Sequence, residues 1–219
     1  MSLLPLSFVG GLLALDETSV GQFMVSRPLV VGLLAGWVVG DPMTGALVGA
    51  ILEIYLLVSL PVGGARFPEG ATATVVAVGS AAAGDLPGAL ALGVAVGLVW
   101  GHIGGLTISG LRTFSVRLAP DPGRTSVTPG RVVAGHLGAI VLDFLRGMLV
   151  TASGVLVGRL VVAALASSWP LAAGNTLGLL LVGGAVSVGA LLRGFGGFRR
   201  RRDLFAAGLA AGALGAWLL

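Results

Sequence analysis

The apolar runs of this chain come in two lengths, and the shorter runs cannot cross a bilayer on their own. Runs of about 13 or 14 residues cover 3 to 15, 28 to 40 and 71 to 84. An α-helix rises about 1.5 Å per residue, so about 20 apolar residues are needed to cross a hydrocarbon core of about 30 Å. The three short segments are therefore predicted to be half-length helices.

The longer apolar runs are sufficient to span a membrane. They cover 43 to 65, 86 to 111, 132 to 168 and 171 to 192, with a shorter closing run over 204 to 219. Because backbone groups in lipid must be hydrogen-bonded within their own segment, each run is predicted to be a helix. We expect an all-α polytopic transmembrane protein with half-length re-entrant or broken helices. It would have about seven to nine membrane segments and form one domain over residues 1–219.

The composition agrees with this class and argues against a nucleic-acid partner. Hydrophobic residues make up 56% of the chain and charged residues only 10%, far from the balance of a soluble domain. The net charge of +4 arises from arginines, which cluster at 112 to 131 and 193 to 203. The positive-inside rule explains such clusters by placing both segments in the cytoplasm. An even number of crossings must then lie between them, which 132 to 168 and 171 to 192 provide.

The motifs of common enzymes are missing from the sequence. There is no cysteine, and His102 and His136 lie too far apart for the spacing of a zinc site. There is no P-loop lysine and no nucleophile elbow. We expect no metal, no cofactor and no catalytic residue.

A weak internal repeat links the two helix lengths. "GDPMTGALVGA" at 40 to 50 and "GDLPGALALGVA" at 84 to 95 each follow a half-length segment and open a long one. Asp41 and Asp85 are predicted to cap the helices that they precede. Half-length, glycine-interrupted segments in matching positions are typical of transporter sites, although loose packing of small residues produces the same composition.

Polar side chains at membrane depth are the candidates for function. They are Asp16, Glu17, Gln22, Arg27, Glu53 and Glu69. Glu53 is predicted near the middle of a full span, where a charge costs about 2.5 to 3.5 kcal/mol and requires a partner or a wet cavity. A sugar suits such groups because its hydroxyls both donate and accept hydrogen bonds. An internal bridge between Glu53 and Arg27 is the structural alternative. Asp143 and Arg146, three apart on one helix face, are predicted to form an ion pair.

These residues carry a resemblance to a known family. The series "LDE", "GQF", "SRPLV", "GD..TG", "LE" and "PVGGA..PE" between 15 and 69 resembles the signature region of the mannose/fructose/sorbose phosphotransferase system, in its membrane component IIC. "GHLGAIVLDFLRG" at 135 to 147 is similar to a second stretch of that family. Together the two stretches cover about a third of the chain.

The resemblance implies a sugar permease subunit of a bacterial cytoplasmic membrane. It implies an oligomeric complex with a second membrane subunit, IID, which moves a hexose across the bilayer. Cytoplasmic IIB, phosphorylated on histidine by IIA, then phosphorylates the sugar. It also implies that IIC carries no phosphorylation site of its own. Carried over by position, Asp16, Glu17, Gln22 and Glu53 bind substrate, whereas Arg27, Glu69 and Asp41 have structural or gating roles.

Two other functions stay open at this point. Pro61 stands where mannose transporters tend to have an asparagine, and Arg66 adds a charge beside it, so the substrate is undetermined. In one alternative, the chain is a scaffold or regulatory subunit that does not transport. The other alternative is a membrane transferase that binds Mg²⁺ through Asp16, Glu17 and Glu53.

Overall fold

The described part of the chain is helical and contains no strand. The computed structural model describes residues 3–57, 66–84, 87–120, 123, 127–194, 196, 199 and 202–218. They form α1 (Leu3–Thr18), α2 (Pro28–Val39), α3 (Pro42–Leu56), α4 (Gly70–Ala81), α5 (Pro87–Ser115), α6 (Pro129–Leu165), α7 (Ala173–Gly194) and α8 (Arg202–Leu218). The prediction of an all-α membrane protein is confirmed.

Helix lengths divide the described elements into two groups, as the apolar runs predict. Three helical stretches are long and apolar enough to cross a membrane. They are Pro87–Leu118, Pro129–Ser168 and Ala173–Arg193, and they correspond to α5, α6 and α7 respectively. The half-length predictions over 3 to 15, 28 to 40 and 71 to 84 correspond to α1, α2 and α4. Two helices, α6 and α7, lie between the Arg-rich segments, which is the even number required by the predicted orientation.

One predicted span is shorter in the structure. The run from 43 to 65 was expected to cross the membrane, but α3 ends at Leu56 and is another half-length helix of 15 residues. Residues 58–65, which include Pro61, lie outside the described residues, as does Asp85 with its predicted cap. The repeated unit therefore combines two half-length helices in its first copy, and a half-length and a long helix in its second.

Helix α4 is the centre of the packing. All twelve of its residues are buried, and it packs against α5, α6, α2, α1 and α3. Two of its hydroxyl groups are satisfied within the helix: Thr74 donates to the Gly70 carbonyl at 2.7 Å and Ser80 to the Val76 carbonyl at 2.6 Å. A half-length helix can therefore be stable at this depth because protein surrounds it on every side.

Glycines permit the close approach of α2 and α3. These helices form a hairpin through a turn at Gly40, whose left-handed backbone (φ 86°) ends α2. A Cβ on Gly32 would overlap the Gly45 carbonyl, and a Cβ on Gly36 would lie 2.8 Å from the Asp41 carbonyl. Larger side chains at these positions would separate the helices.

Candidate functional site

The ends of four half-length helices meet in one layer of the molecule. Here α1 and α3 end while α2 and α4 begin. A small cavity of about 40 Å³ lies between them, lined by Glu17, Ser26, Arg27, Pro28, Leu56, Pro68 and Gly70. Helix ends leave backbone N–H and C=O groups without partners in the helix, so this layer needs polar side chains. The candidate residues of the sequence supply several of them.

Glu17 caps the buried N-terminus of α4. Its two carboxylate oxygens accept hydrogen bonds from the backbone N–H groups of Gly70 and Ala71, each at 2.9 Å. The Glu17 side chain lies in the last turn of α1 and is buried. A carboxylate at a helix N-terminus satisfies free donors and interacts favourably with the helix dipole. One side chain thus ties the end of one half-length helix to the start of another.

Glu53 binds the N-terminus of α2, as Glu17 binds that of α4. Its carboxylate accepts a hydrogen bond from the Leu29 backbone N–H at 3.3 Å and forms an ion pair with Arg27, the N-cap residue of α2. Because α3 ends at Leu56, Glu53 lies in its last turn and not at mid-span as predicted. The ion pair is formed, and its two side chains are 23% and 22% exposed.

Asp16, near the end of α1, holds the loop that joins α1 to α2, and Gln22 lies within that loop. The Asp16 carboxylate accepts hydrogen bonds from the backbone N–H groups of Phe23 at 2.7 Å and Ser26 at 2.8 Å. On either side of Phe23, Gln22 and Met24 have positive φ angles of 54° and 64°, which is unfavourable for residues with a side chain. The Gln22 side chain is exposed. Asp16 therefore holds a strained loop, and Gln22 lies on its outer surface.

Glu69 lies in a buried ionic network that the sequence showed only in part. The predicted pair forms: the Arg146 Nε donates to Asp143 at 2.8 Å. The same guanidinium also donates to both Glu69 oxygens, at 2.7 and 2.9 Å, and to the Thr107 hydroxyl at 3.1 Å. Glu69 is fully buried, and Thr72 donates to it at 2.8 Å. This network connects α4, α5 and α6 behind the layer of helix ends.

The Asp143 end of the network involves two hydroxyls that sequence reasoning missed. Thr18 donates to Asp143 Oδ2 at 2.6 Å, and Ser19 donates to the same oxygen. Asp143 is 1% exposed. The sequence does show that Glu69 and Asp143 are acidic residues within apolar segments, and each such residue needs a partner. In the structure Arg146 is the partner of both carboxylates.

Asp41 lies at the opposite end of α2 and α4. It is the N-cap of α3, where its carboxylate accepts a hydrogen bond from the Thr44 backbone at 3.0 Å. Hydrogen bonds from the Thr44 side chain and backbone hold the pKa of Asp41 below its ordinary value in this exposed turn. Asp41 and Thr44 line a separate cavity of about 520 Å³. The structure therefore places Asp41 away from the other candidates.

One known protein family matches most of the chain. The family described as "PTS system sorbose-specific iic component" matches residues 2–192. This chain belongs to that family. It is a membrane transport component of a phosphotransferase system, as the resemblance of the two polar stretches suggested.

Comparison with solved structures supports the same fold for this IIC chain. A solved chain described as "Structure of membrane protein" superposes with a TM-score of 0.67 at 21% identity, over 99% of this chain and 92% of that one. At this identity the likeness concerns the fold alone. No curated protein matches the sequence.

The geometry of this IIC chain gives no support to the Mg²⁺ transferase alternative. Among the residues that the structure describes, no group of three or more His, Asp or Glu side chains could hold a metal ion. The three carboxylates of that hypothesis face hydrogen-bond donors: Asp16 and Glu17 bind backbone N–H groups, and Glu53 binds Arg27. Carboxylates oriented toward donors are arranged to organise helix ends.

Proposed function

We propose that this IIC chain is the subunit through which a hexose crosses a bacterial cytoplasmic membrane. It works with a IID-type membrane subunit, and phosphorylated IIB transfers its phosphoryl group to the sugar that this complex delivers. The observation that carries the proposal is the partly exposed pair of Arg27 and Glu53, where α2 begins and α3 ends. Broken helix ends at membrane depth are the usual place of a transporter site.

The chemistry of this pair suits exchange with a sugar. A guanidinium donates hydrogen bonds and a carboxylate accepts them, so each group can bind a sugar hydroxyl when the bridge opens. The groups then keep a partner in both states, which avoids leaving a bare charge in a low-dielectric environment. Glu17 belongs to the same layer, but both of its carboxylate oxygens already bind backbone N–H groups at the N-terminus of α4. Glu53 and Arg27 are therefore the proposed gate, and Gln22 extends it on the exposed loop.

Uptake into membrane vesicles tests the proposal. The chain would be produced with its IID subunit, supplied with phosphorylated IIB, and offered labelled mannose, fructose, sorbose and glucose. We expect uptake of at least one sugar, and at least a tenfold loss in Glu53→Gln, which retains size but loses charge. Asp203→Asn, at an exposed position in the first turn of α8, is the matched control and should transport normally.

A charge reversal separates a gate from a structural bridge. Arg27→Glu with Glu53→Arg keeps an ion pair but exchanges its donor and acceptor. We expect the double variant to assemble better than either single variant and to transport no sugar. Normal transport by the double variant would contradict the gate. If the wild-type complex binds phosphorylated IIB and takes up none of the sugars, the chain is instead the non-transporting subunit.

A further inference from the structure

The cavity at the proposed gate is too small for a sugar in this conformation. Its volume of about 40 Å³ compares with about 30 Å³ for one water molecule in the liquid, and a hexose is several times larger. The Arg27–Glu53 bridge is closed at the same time. A transported hexose would therefore lie elsewhere when the chain has this conformation.

A larger cavity lies on the other side of the C-terminal turn of α1. It has a volume of about 380 Å³, within the range of small-molecule sites. Glu17 lines the small gate cavity, and the next residue, Thr18, lines the larger one. The last turn of α1 thus separates the two. The polar residues of the larger cavity are Thr18, Ser19, Arg112, Ser115 and Asp143.

The lining of this cavity suits a polyhydroxylated ligand. Thr18 and Ser19 donate to Asp143, so their hydroxyl oxygens keep lone pairs that can accept hydrogen bonds from a ligand. Asp143 is almost wholly buried and is fixed by Arg146, which gives the hydroxyls a rigid support. Ile108 and Ala139 contribute an apolar wall for the C–H faces of a sugar ring.

The surrounding charges indicate the side of the membrane. Arg112 and Ser115 lie in the last turns of α5, at the start of the Arg-rich segment 112 to 131. The positive-inside rule places that segment in the cytoplasm. The Arg112 guanidinium is stacked over the Phe67 ring at 5.7 Å, which positions it beside the cavity.

We propose that this cavity is a cytoplasmic-side hexose subsite, formed by the Thr18 and Ser19 hydroxyls on their Asp143 support and by the wall at Ala139. The inference rests on the proposed transport function. The sugar occupies this subsite after the gate has closed behind it and before phosphorylated IIB transfers its phosphoryl group to it. The geometry also gives Asp143 a positioning role, because it orients the hydroxyls that contact the sugar.

Single cysteines test the subsite directly, because the sequence contains no cysteine. Ala139→Cys would be labelled with a maleimide in inside-out vesicles containing the complete complex, with and without each of the four hexoses. We expect the transported sugar to slow labelling at least fivefold. Ala134→Cys, exposed and five residues earlier on α6, is the control and should be labelled at an unchanged rate.

The result that would overturn the subsite is equal labelling of Ala139→Cys with and without a sugar that the complex transports. Protection of Leu47→Cys in its place would assign the sugar to the cavity beside Asp41. Transport of no sugar by the wild type would instead refute the proposed function, and the subsite with it.

Two further variants measure the contribution of the lining. Ala139→Phe fills the cavity and should weaken binding of the transported sugar at least tenfold, while Ala134→Phe leaves binding unchanged. Ser19→Ala adds no bulk and should weaken binding by about three- to tenfold, the effect of about one hydrogen bond. Unchanged affinity in Ser19→Ala would contradict the role of the hydroxyls, whether or not Ala139→Phe assembles.

Discussion

Replacing Arg146 by methionine removes the shared partner of two buried carboxylates. Arg146 donates to Glu69 at 2.7 and 2.9 Å and to Asp143 at 2.8 Å, and the exposed fractions of the two acidic side chains are 0% and 2%. Methionine preserves much of the apolar length of the side chain but offers no donor. The variant therefore isolates the charge and its hydrogen bonds from the packing.

The expected cost is large because removal of one partner leaves buried charge uncompensated. Breaking a buried pair in this way typically costs about 3–5 kcal/mol. In a protein of 150–250 residues about 1 kcal/mol corresponds to a shift of roughly 2–4 °C in the unfolding midpoint. Arg146→Met should accordingly lower the midpoint by roughly 6–20 °C.

Intrinsic tryptophan fluorescence of the purified protein during heating would measure this shift. Arg117→Met is the control: this exposed arginine lies over the Phe114 ring at 5.8 Å, so the loss should be about 1 kcal/mol or less. The double variant Glu69→Gln/Arg146→Met should be more stable than Arg146→Met, because a neutral amide costs less to bury than an unpaired carboxylate. A midpoint of Arg146→Met within about 2 °C of the wild type would refute the reasoning, as would a double variant less stable than the single.

Two further predictions concern the helix contacts that shape the candidate site. Gly32→Ala should prevent the close approach of α2 and α3 and reduce the yield of folded protein, since its Cβ would overlap backbone. Gly110→Ala, whose Cβ would meet no atom within 4 Å, should be neutral or stabilising by up to about 1 kcal/mol; equal yields of the two variants would count against the predicted overlap. Glu17→Ala should accelerate hydrogen exchange at the Gly70 and Ala71 amides by about tenfold, corresponding to about 1.4 kcal/mol of lost capping, and unchanged exchange would show that the cap contributes little.

Much of the helical architecture could be predicted because its signals are local. Apolar run length distinguished α1, α2 and α4 from the long helices, since hydropathy and rise per residue act within one segment. Asp143 and Arg146 were paired for the same reason, because a separation of three residues brings side chains together on any helix. The end of α3 at Leu56 was missed, since the apolar run itself continues beyond it.

The partners of the polar side chains depended on the tertiary structure. The sequence alone determined that carboxylates and an arginine lie at membrane depth and that each needs compensation. It did not determine that Glu17 reaches α4, 53 residues away, or that Arg146 reaches Glu69, 77 residues away. Any free helix N-terminus or guanidinium satisfies a carboxylate equally well in chemical terms. Only the packing of the half-length helices around α4 decides which of them is near enough, and so where the gate and the larger cavity form.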